Sequence, residues 1–96
     1  MFDKAKYVTA GINRMLEMET QMFLWKMILD LEGERDYLQV FELVGISEYK
    51  IKITHRQEEP NYENVIVANL AIPEGFIKIF VIDDGDYSTM LLASEY

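Results

Sequence analysis

The sequence predicts an α+β fold in which one main helix packs on a mainly antiparallel sheet of four or five strands. Residues 17–32 are rich in Met, Leu, Glu, Gln and Lys and contain neither Gly nor Pro, which is typical of a helix. Five segments after Asp36 are rich in β-branched and aromatic residues. The loops between them are too short for parallel crossovers, so the strands should pair antiparallel, with the helix across one face.

Turn and capping residues define the elements in order. Residues 6–9 are predicted to form a short strand, with the alternative that Thr9 caps a turn running into Gly11. The main helix is predicted to stop at Gly33, because Gly suits the conformation after a helix end. Asp84-Gly85 predicts a tight hairpin before the last strand. The strands after the helix are predicted at residues 37–44, 49–57, 65–72, 76–82 and 87–93.

Length and composition bound the class of protein. Residues 1–96 are predicted to form a single globular domain, because a chain of 96 residues has room for one core. The net charge of −8 opposes approach to nucleic acid or to an anionic membrane. Solubility is its favoured explanation, and binding to a basic protein surface or to a site meant for DNA is the alternative. No cysteine is present, which excludes disulfides and cysteine-ligated metals.

The sequence shows no targeting or membrane segment. The first six residues lack the apolar core of a secretory signal, and apolar runs such as residues 22–25 are too short to span a bilayer. The lack of cysteine fits a reducing compartment. We therefore expect a cytoplasmic protein with no membrane partner.

His55 is the only histidine, and Glu58 and Glu59 follow it closely. A histidine near carboxylates is a candidate general base or metal ligand. Strand alternation, however, puts His55 on the apolar face with Ile51 and Ile53. This favours a partly buried histidine with one hydrogen bond. We predict no catalytic residue, no cofactor and no metal site.

Three carboxylates, Asp83, Asp84 and Asp86, cluster in the manner of a cation site. Their spacing does not match the twelve-residue calcium loop, because no Glu follows at the required distance. A turn between two strands explains the cluster better.

A basic face is predicted on one strand, where Lys50, Lys52 and Arg56 share a side that Lys78 could join. Such a face could bind single-stranded nucleic acid. At this net charge, a solvated face neutralised by carboxylates such as Glu42 is the favoured interpretation.

The main helix carries two apolar stripes. The first contains Leu24, Met27, Ile28 and Leu31, and the second contains Met18, Met22, Trp25 and Leu29. A helix on one sheet needs only one stripe. The second is therefore covered either by the rest of the chain, such as the N-terminal segment, or by a partner. Because Met and Trp suit recognition surfaces, the second stripe is the candidate partner-binding site.

Several segments recur together in a known family. They are YVT at 7–9, QMFLW at 21–25, DYLQVFEL at 36–43, HRQEEP at 55–60 and DDGDYSTMLL at 83–92. In this order they resemble a family of small proteins from Firmicutes and their mobile elements, domain of unknown function number 960. The resemblance implies a bacterial cytoplasmic origin with a mobile-element connection, and it implies no activity. Similar sequences tend to have a proline near Glu17, which puts the predicted helix start in question.

The leading functional hypothesis is a non-catalytic protein-interaction module, with self-association as a homodimer included. The alternative is an acidic DNA-mimic antagonist of a DNA-binding protein, which requires the acidic clusters at residues 30–36, 58–63 and 83–86 to converge. An enzyme using His55 is less favoured and requires an open pocket around that residue.

Overall fold

A computed structural model, which describes residues 1–96, contains a six-stranded sheet with two α-helices over one of its faces. In chain order the elements are β1 (Ala5–Val8), α1 (Ala10–Met15), α2 (Met18–Leu29), β2 (Leu38–Ser47), β3 (Lys50–Gln57), β4 (Tyr62–Ala68), β5 (Phe76–Asp83) and β6 (Tyr87–Leu92), followed by a 3-10 turn, Ala93–Glu95. The predicted α+β class is therefore confirmed.

The strand order is β1-β6-β5-β2-β3-β4. Four of the five neighbouring pairs are antiparallel, as predicted. The exception is β1, which pairs with β6 in parallel, with Ala5 opposite Tyr87 and Val8 opposite Met90. The prediction of four or five strands was too low, because the short N-terminal strand joins the sheet by pairing with β6, about 80 residues away, and no local pattern reveals that pairing.

The region around Thr9 satisfies both of the alternatives raised for it. Residues up to Val8 form β1, and Thr9 then caps a short helix, α1, that accompanies the one main helix predicted. The Thr9 hydroxyl oxygen accepts a hydrogen bond from the Ile12 N–H at 3.2 Å, and the hydroxyl donates to Glu95 Oε1 at 2.7 Å. The cap thereby ties the start of α1 to the C-terminal turn.

The main helix ends earlier than Gly33, the predicted stop. Helix α2 finishes at Leu29, and Gly33 lies in the following loop with φ of +86°. The Arg35 guanidinium donates to the carbonyl oxygens of Ile28 and Leu29, each at 2.8 Å. These donors replace the N–H groups that a further helical turn would have supplied. The chain can therefore leave the helix without orphaning its last carbonyls.

The prediction of a strand over residues 65–72 was displaced toward the C-terminus. Strand β4 spans Tyr62–Ala68, because pairing with β3 starts at the Gln57–Tyr62 pair directly after the turn at residues 58–61. The other predicted strands agree with β2, β3, β5 and β6 to within a few residues.

The core lies between the helices and one face of the sheet. Alternate residues of the central strands, including Phe41, Ile53 and Ile79, are fully buried there beneath Leu24 and Ile28 of α2. The opposite face of the sheet carries no helix. Neither α1 nor α2 has the length and apolarity needed to cross a membrane.

Candidate interaction surface

The structure divides the four predicted partner-binding residues. Met18, Met22 and Leu29 are 66%, 60% and 43% exposed, whereas Trp25 is only 7% exposed and belongs to the core. Successive helical residues are 100° apart, so the four side chains do not point in one direction. Trp25 faces the sheet, and Met18, Met22 and Leu29 lie on the flank of α2. The surplus stripe is therefore uncovered along most of its length.

The uncovered stripe forms one wall of a groove of about 790 Å³ between α2 and β1, the α2–β1 groove. Lys6 and Val8 of β1 line the opposite side, and the side chain of Trp25 from α2 also lines the groove. The Lys6 ammonium is 6.0 Å from the centre of the Trp25 ring, a cation–π distance. The α2–β1 groove is thus mainly apolar, with a cation above its aromatic residue.

The α2–β1 groove exists because one long helix cannot cover the whole sheet. Six strands spaced about 4.8 Å apart span roughly 24 Å, whereas a helix with its side chains covers roughly 10 Å. Strand β1 is an edge strand, and its outer edge has no neighbour. The Thr9 N–H donates to the Met90 carbonyl at 3.1 Å, so by alternation the main-chain groups of Lys6 and Val8 point away from β6.

The charges that line the groove balance one another. Lys6 and Lys26 are opposed by Glu19 and Asp30, whereas the whole chain carries a net charge of −8. Lys26 of α2 forms an ion pair at 2.5 Å with Asp30, the residue that follows the helix, and Glu19 has no ionic partner. The groove is therefore a locally neutral region of an acidic protein.

His55, the candidate general base, is completely buried. Its Nε2 is 2.6 Å from Gln39 Oε1, and its ring stacks on Phe41 with ring centres 4.4 Å apart. The edge of Tyr62 closes another side at 5.4 Å. Burial lowers the pKa of His55 to about 4, so the imidazole is neutral near pH 7. A substrate has no access to this ring, so the open pocket that an enzyme using His55 would require is missing.

Two glutamines that the sequence analysis did not single out hold His55 in place. Gln39 Nε2 donates to Gln57 Oε1 at 2.7 Å, and Gln57 Nε2 donates to the carbonyls of Glu34 and Pro60 at 3.0 and 2.9 Å. The network joins β2 and β3 to two loops. Gln39 and Gln57 occupy inward-facing positions of their strands. The alternation of inward and outward residues along β2 and β3 was therefore the signal in the sequence that could have identified them as buried.

The carboxylates at residues 83–86 serve the turn, as predicted. Asp83 Oδ1 accepts from the Gly85 N–H at 2.8 Å, and its Oδ2 accepts from the Phe2 N–H at 2.6 Å. Burial opposes ionisation of Asp83, but the N–H groups of Gly85 and Phe2 outweigh it and hold the pKa of Asp83 below its usual value. No three His, Asp or Glu side chains lie in an arrangement that could hold a metal ion.

On the basic face, the carboxylate of Glu42 neutralises Arg56, as predicted. Arg56 forms an ion pair with Glu42, and Lys78 lies opposite Glu42 in the register of β2 and β5. Lys50 and Lys52 are exposed further along β3.

The three acidic clusters meet at one end of the sheet, the acidic end. Strands β2, β4 and β6 begin there, and β3 and β5 end there. Asp36 Oδ2 accepts from the Glu59 N–H at 3.0 Å, which joins the first cluster to the second. The Asp83 N–H donates to the Tyr37 carbonyl at 2.9 Å, which brings the third beside them.

Comparison with known proteins agrees with this fold. No curated protein matches the chain. Among solved structures, the chain is similar to the crystal structure of a protein of unknown function from Enterococcus faecalis, with a TM-score of 0.82 and 25% sequence identity. That similarity covers 98% of this chain and 92% of the other. Residues 5–95 match the family described as Staphylococcal protein of unknown function (DUF960), which confirms the resemblance seen in the motifs, and the chain belongs to that family.

Proposed function

We propose that this protein is a non-catalytic protein-interaction module whose α2–β1 groove receives a helix of a partner. The observation that carries the proposal is the surplus stripe of α2, because Met18, Met22 and Leu29 stay exposed while another face of the same helix fills the core. Apolar side chains concentrated beside a concavity are typical of protein-binding surfaces. The unbranched methionines can adapt to the shape of the bound side chains.

The dimensions of the groove favour a helix as the occupant. The stripe extends along the whole of α2 from Met18 to Leu29, which is roughly 18 Å, or three helical turns. The space within the groove lies beside α2 and above Lys6 and Val8 of β1, and no residue of α1 lines it. An amphipathic helix with apolar residues three and four apart would fill this space. A strand added to the edge of β1 would instead engage the main chain of Lys6 and Val8 and leave most of the stripe exposed.

Site-specific photo-crosslinking tests the proposal. A benzophenone amino acid is placed at Met22, in the groove, and in a control protein at Val67, which is 58% exposed on the opposite face of the sheet. Both proteins are expressed and irradiated in a Firmicute host. We expect a discrete protein adduct from position 22 and none of the same mass from position 67. Equal labelling from both positions, or no adduct from position 22, would contradict the proposal.

Trp25 is unsuitable as the probe position, although it belongs to the predicted stripe. Its side chain is packed in the core, and a charged or bulky replacement would disturb folding. Met22 belongs to the same stripe, and its side chain is exposed, so the probe can replace it without disturbing the core.

A second candidate function is an acidic antagonist that occupies a basic, DNA-binding surface of another protein. The observation that favours it is the meeting of three acidic clusters at the acidic end. Clustered carboxylates there would attract a cationic surface over about a Debye length of 10 Å at moderate salt.

Paired neutralisations test this second candidate. Glu58→Gln/Glu59→Gln removes two charges from the acidic end, and Glu48→Gln/Glu74→Gln removes two from loops at the opposite end. Each immobilised protein is exposed to a nuclease-treated lysate at low salt and eluted with rising salt. We expect a basic DNA-binding protein to be lost only from the Glu58/Glu59 variant. Identical retention by both variants would remove the candidate.

A further inference from the structure

We infer that the helix received by the α2–β1 groove is α2 of a second copy of this chain, lying antiparallel to the first about a two-fold axis. The inference rests on the proposed function, because it names the occupant of the same groove. It is carried by three features of α2: the spacing of its stripe, the order of its flanking charges and the local neutrality of the groove.

The spacing of the stripe is the same in both directions along the helix. Met18, Met22, Trp25 and Leu29 are separated by four, three and four residues, which is a heptad pattern. When a second α2 runs antiparallel, Met18 faces the partner's Leu29, and Met22 faces the partner's Trp25. Each Met22 would then cover the accessible edge of the other copy's Trp25, which the core leaves open toward the groove.

The charges beside the stripe also match under this symmetry. Glu19 and Lys26 are seven residues apart and flank the stripe on the same side, at equivalent positions of successive heptads. In an antiparallel pair these positions meet across the interface, so Glu19 of each copy lies near Lys26 of the other. Lys26 already contacts Asp30 within its own helix, and Glu19 has no ionic partner in a single copy.

Neutrality of the groove permits two acidic molecules to approach there. Two copies with a net charge of −8 each repel at long range, but the four charged residues that line the groove sum to zero. The helix dipoles of two antiparallel helices also oppose one another favourably. The groove is thus better suited to self-association than the acidic end is.

Sedimentation velocity over a range of protein concentrations tests the inference. We expect a monomer–dimer equilibrium that Met22→Glu weakens about tenfold or more, because a buried charge replaces an interfacial apolar side chain. Val67→Glu, on the opposite face of the sheet, should leave the equilibrium unchanged. Circular dichroism verifies that both variants fold.

Charge reversal at the flanking positions gives a second, independent readout. Glu19→Lys alone and Lys26→Glu alone each place like charges together twice in the dimer and should weaken it about three- to tenfold. The double variant Glu19→Lys/Lys26→Glu restores both pairs and should recover most of the affinity. Additive loss in the double variant would overturn the antiparallel arrangement.

The outcomes separate this inference from the proposed function. A chain that remains monomeric at every concentration, together with an adduct from position 22 to a different protein, overturns self-pairing and leaves the interaction module standing. A monomeric chain with no adduct from position 22 overturns both. A dimer lost in Val67→Glu and kept in Met22→Glu places the interface on the open sheet face and also overturns the inference.

Discussion

At the scale of single residues, His55 shows how a polar side chain can serve as part of a core. It is packed between Phe41 and Tyr62, and Gln39 satisfies one ring nitrogen while Nδ1 has no partner. A buried imidazole surrounded by aromatic rings is stable only when neutral. The residue therefore makes the stability of the fold sensitive to acid.

The pH dependence of stability follows from the pKa of His55. The unfolded chain takes up the proton near pH 6.5, whereas the folded protein takes it up only near pH 4. The contribution of neutral His55 to the free energy of unfolding is fully present above pH 6.5. It is lost as the pH falls from 6.5 to 4, and the loss amounts to about 3 kcal/mol. Urea unfolding at a series of pH values measures this slope. His55→Gln should remove it, and an unchanged slope in that variant would refute the assignment.

At the scale of elements, the end of α2 depends on a side chain that lies outside the helix. Arg35 follows the helix by six residues and returns to bind its last carbonyls. The same contacts hold the loop at residues 30–37 against the helix. The acidic end is built on that loop, so the cap also positions the first acidic cluster.

Removal of this cap has a predictable cost. Arg35→Ala removes the donor of the Leu29 carbonyl and one of two donors of the Ile28 carbonyl, which also accepts from the Leu31 N–H, and it should reduce the free energy of unfolding by about 1–2 kcal/mol. Arg14→Ala is the matched control, because Arg14 is exposed and makes no side-chain hydrogen bond or ion pair. Urea midpoints compare the two variants, and equal shifts would show that the contacts of Arg35 contribute nothing.

At the scale of the whole molecule, the N-terminus completes both the sheet and the core. Strand β1 adds the sixth strand, and Phe2 just before it is fully buried with a φ of +64°. The main-chain N–H of Phe2 donates to Asp83 at the far end of the chain. The first residues therefore link the start of the sequence to the β5–β6 hairpin and set one wall of the α2–β1 groove.

Loss of the Phe2 ring should lower the stability of the whole protein. Phe2→Ala leaves a cavity in the core and should cost about 3–5 kcal/mol, a large part of the stability of a small domain. Tyr49→Ala is the control, since Tyr49 is also aromatic and is mostly exposed. Thermal unfolding measures both. A Phe2 variant as stable as the control would mean that this end of the chain is not part of the core.

Local patterns in the sequence determined the elements and much of the core. Residue types predicted the main helix and five strands, and alternation put His55 inward beside Ile53. The pairing of Arg56 with Glu42 and the turn at Asp84-Gly85 also followed from local pattern and charge. These features depend on neighbours within a few residues or on the period of a strand, which a sequence displays directly.

Only the tertiary structure decided the features that join distant parts of the chain. The parallel pairing of β1 with β6, the cap from Arg35 and the burial of Phe2 leave no periodic trace in the sequence. The sequence showed that α2 has one apolar stripe too many, but not which of its residues are exposed. Trp25 packs into the core, whereas Met18, Met22 and Leu29 stay exposed because neither α1 nor α2 fills the space above β1.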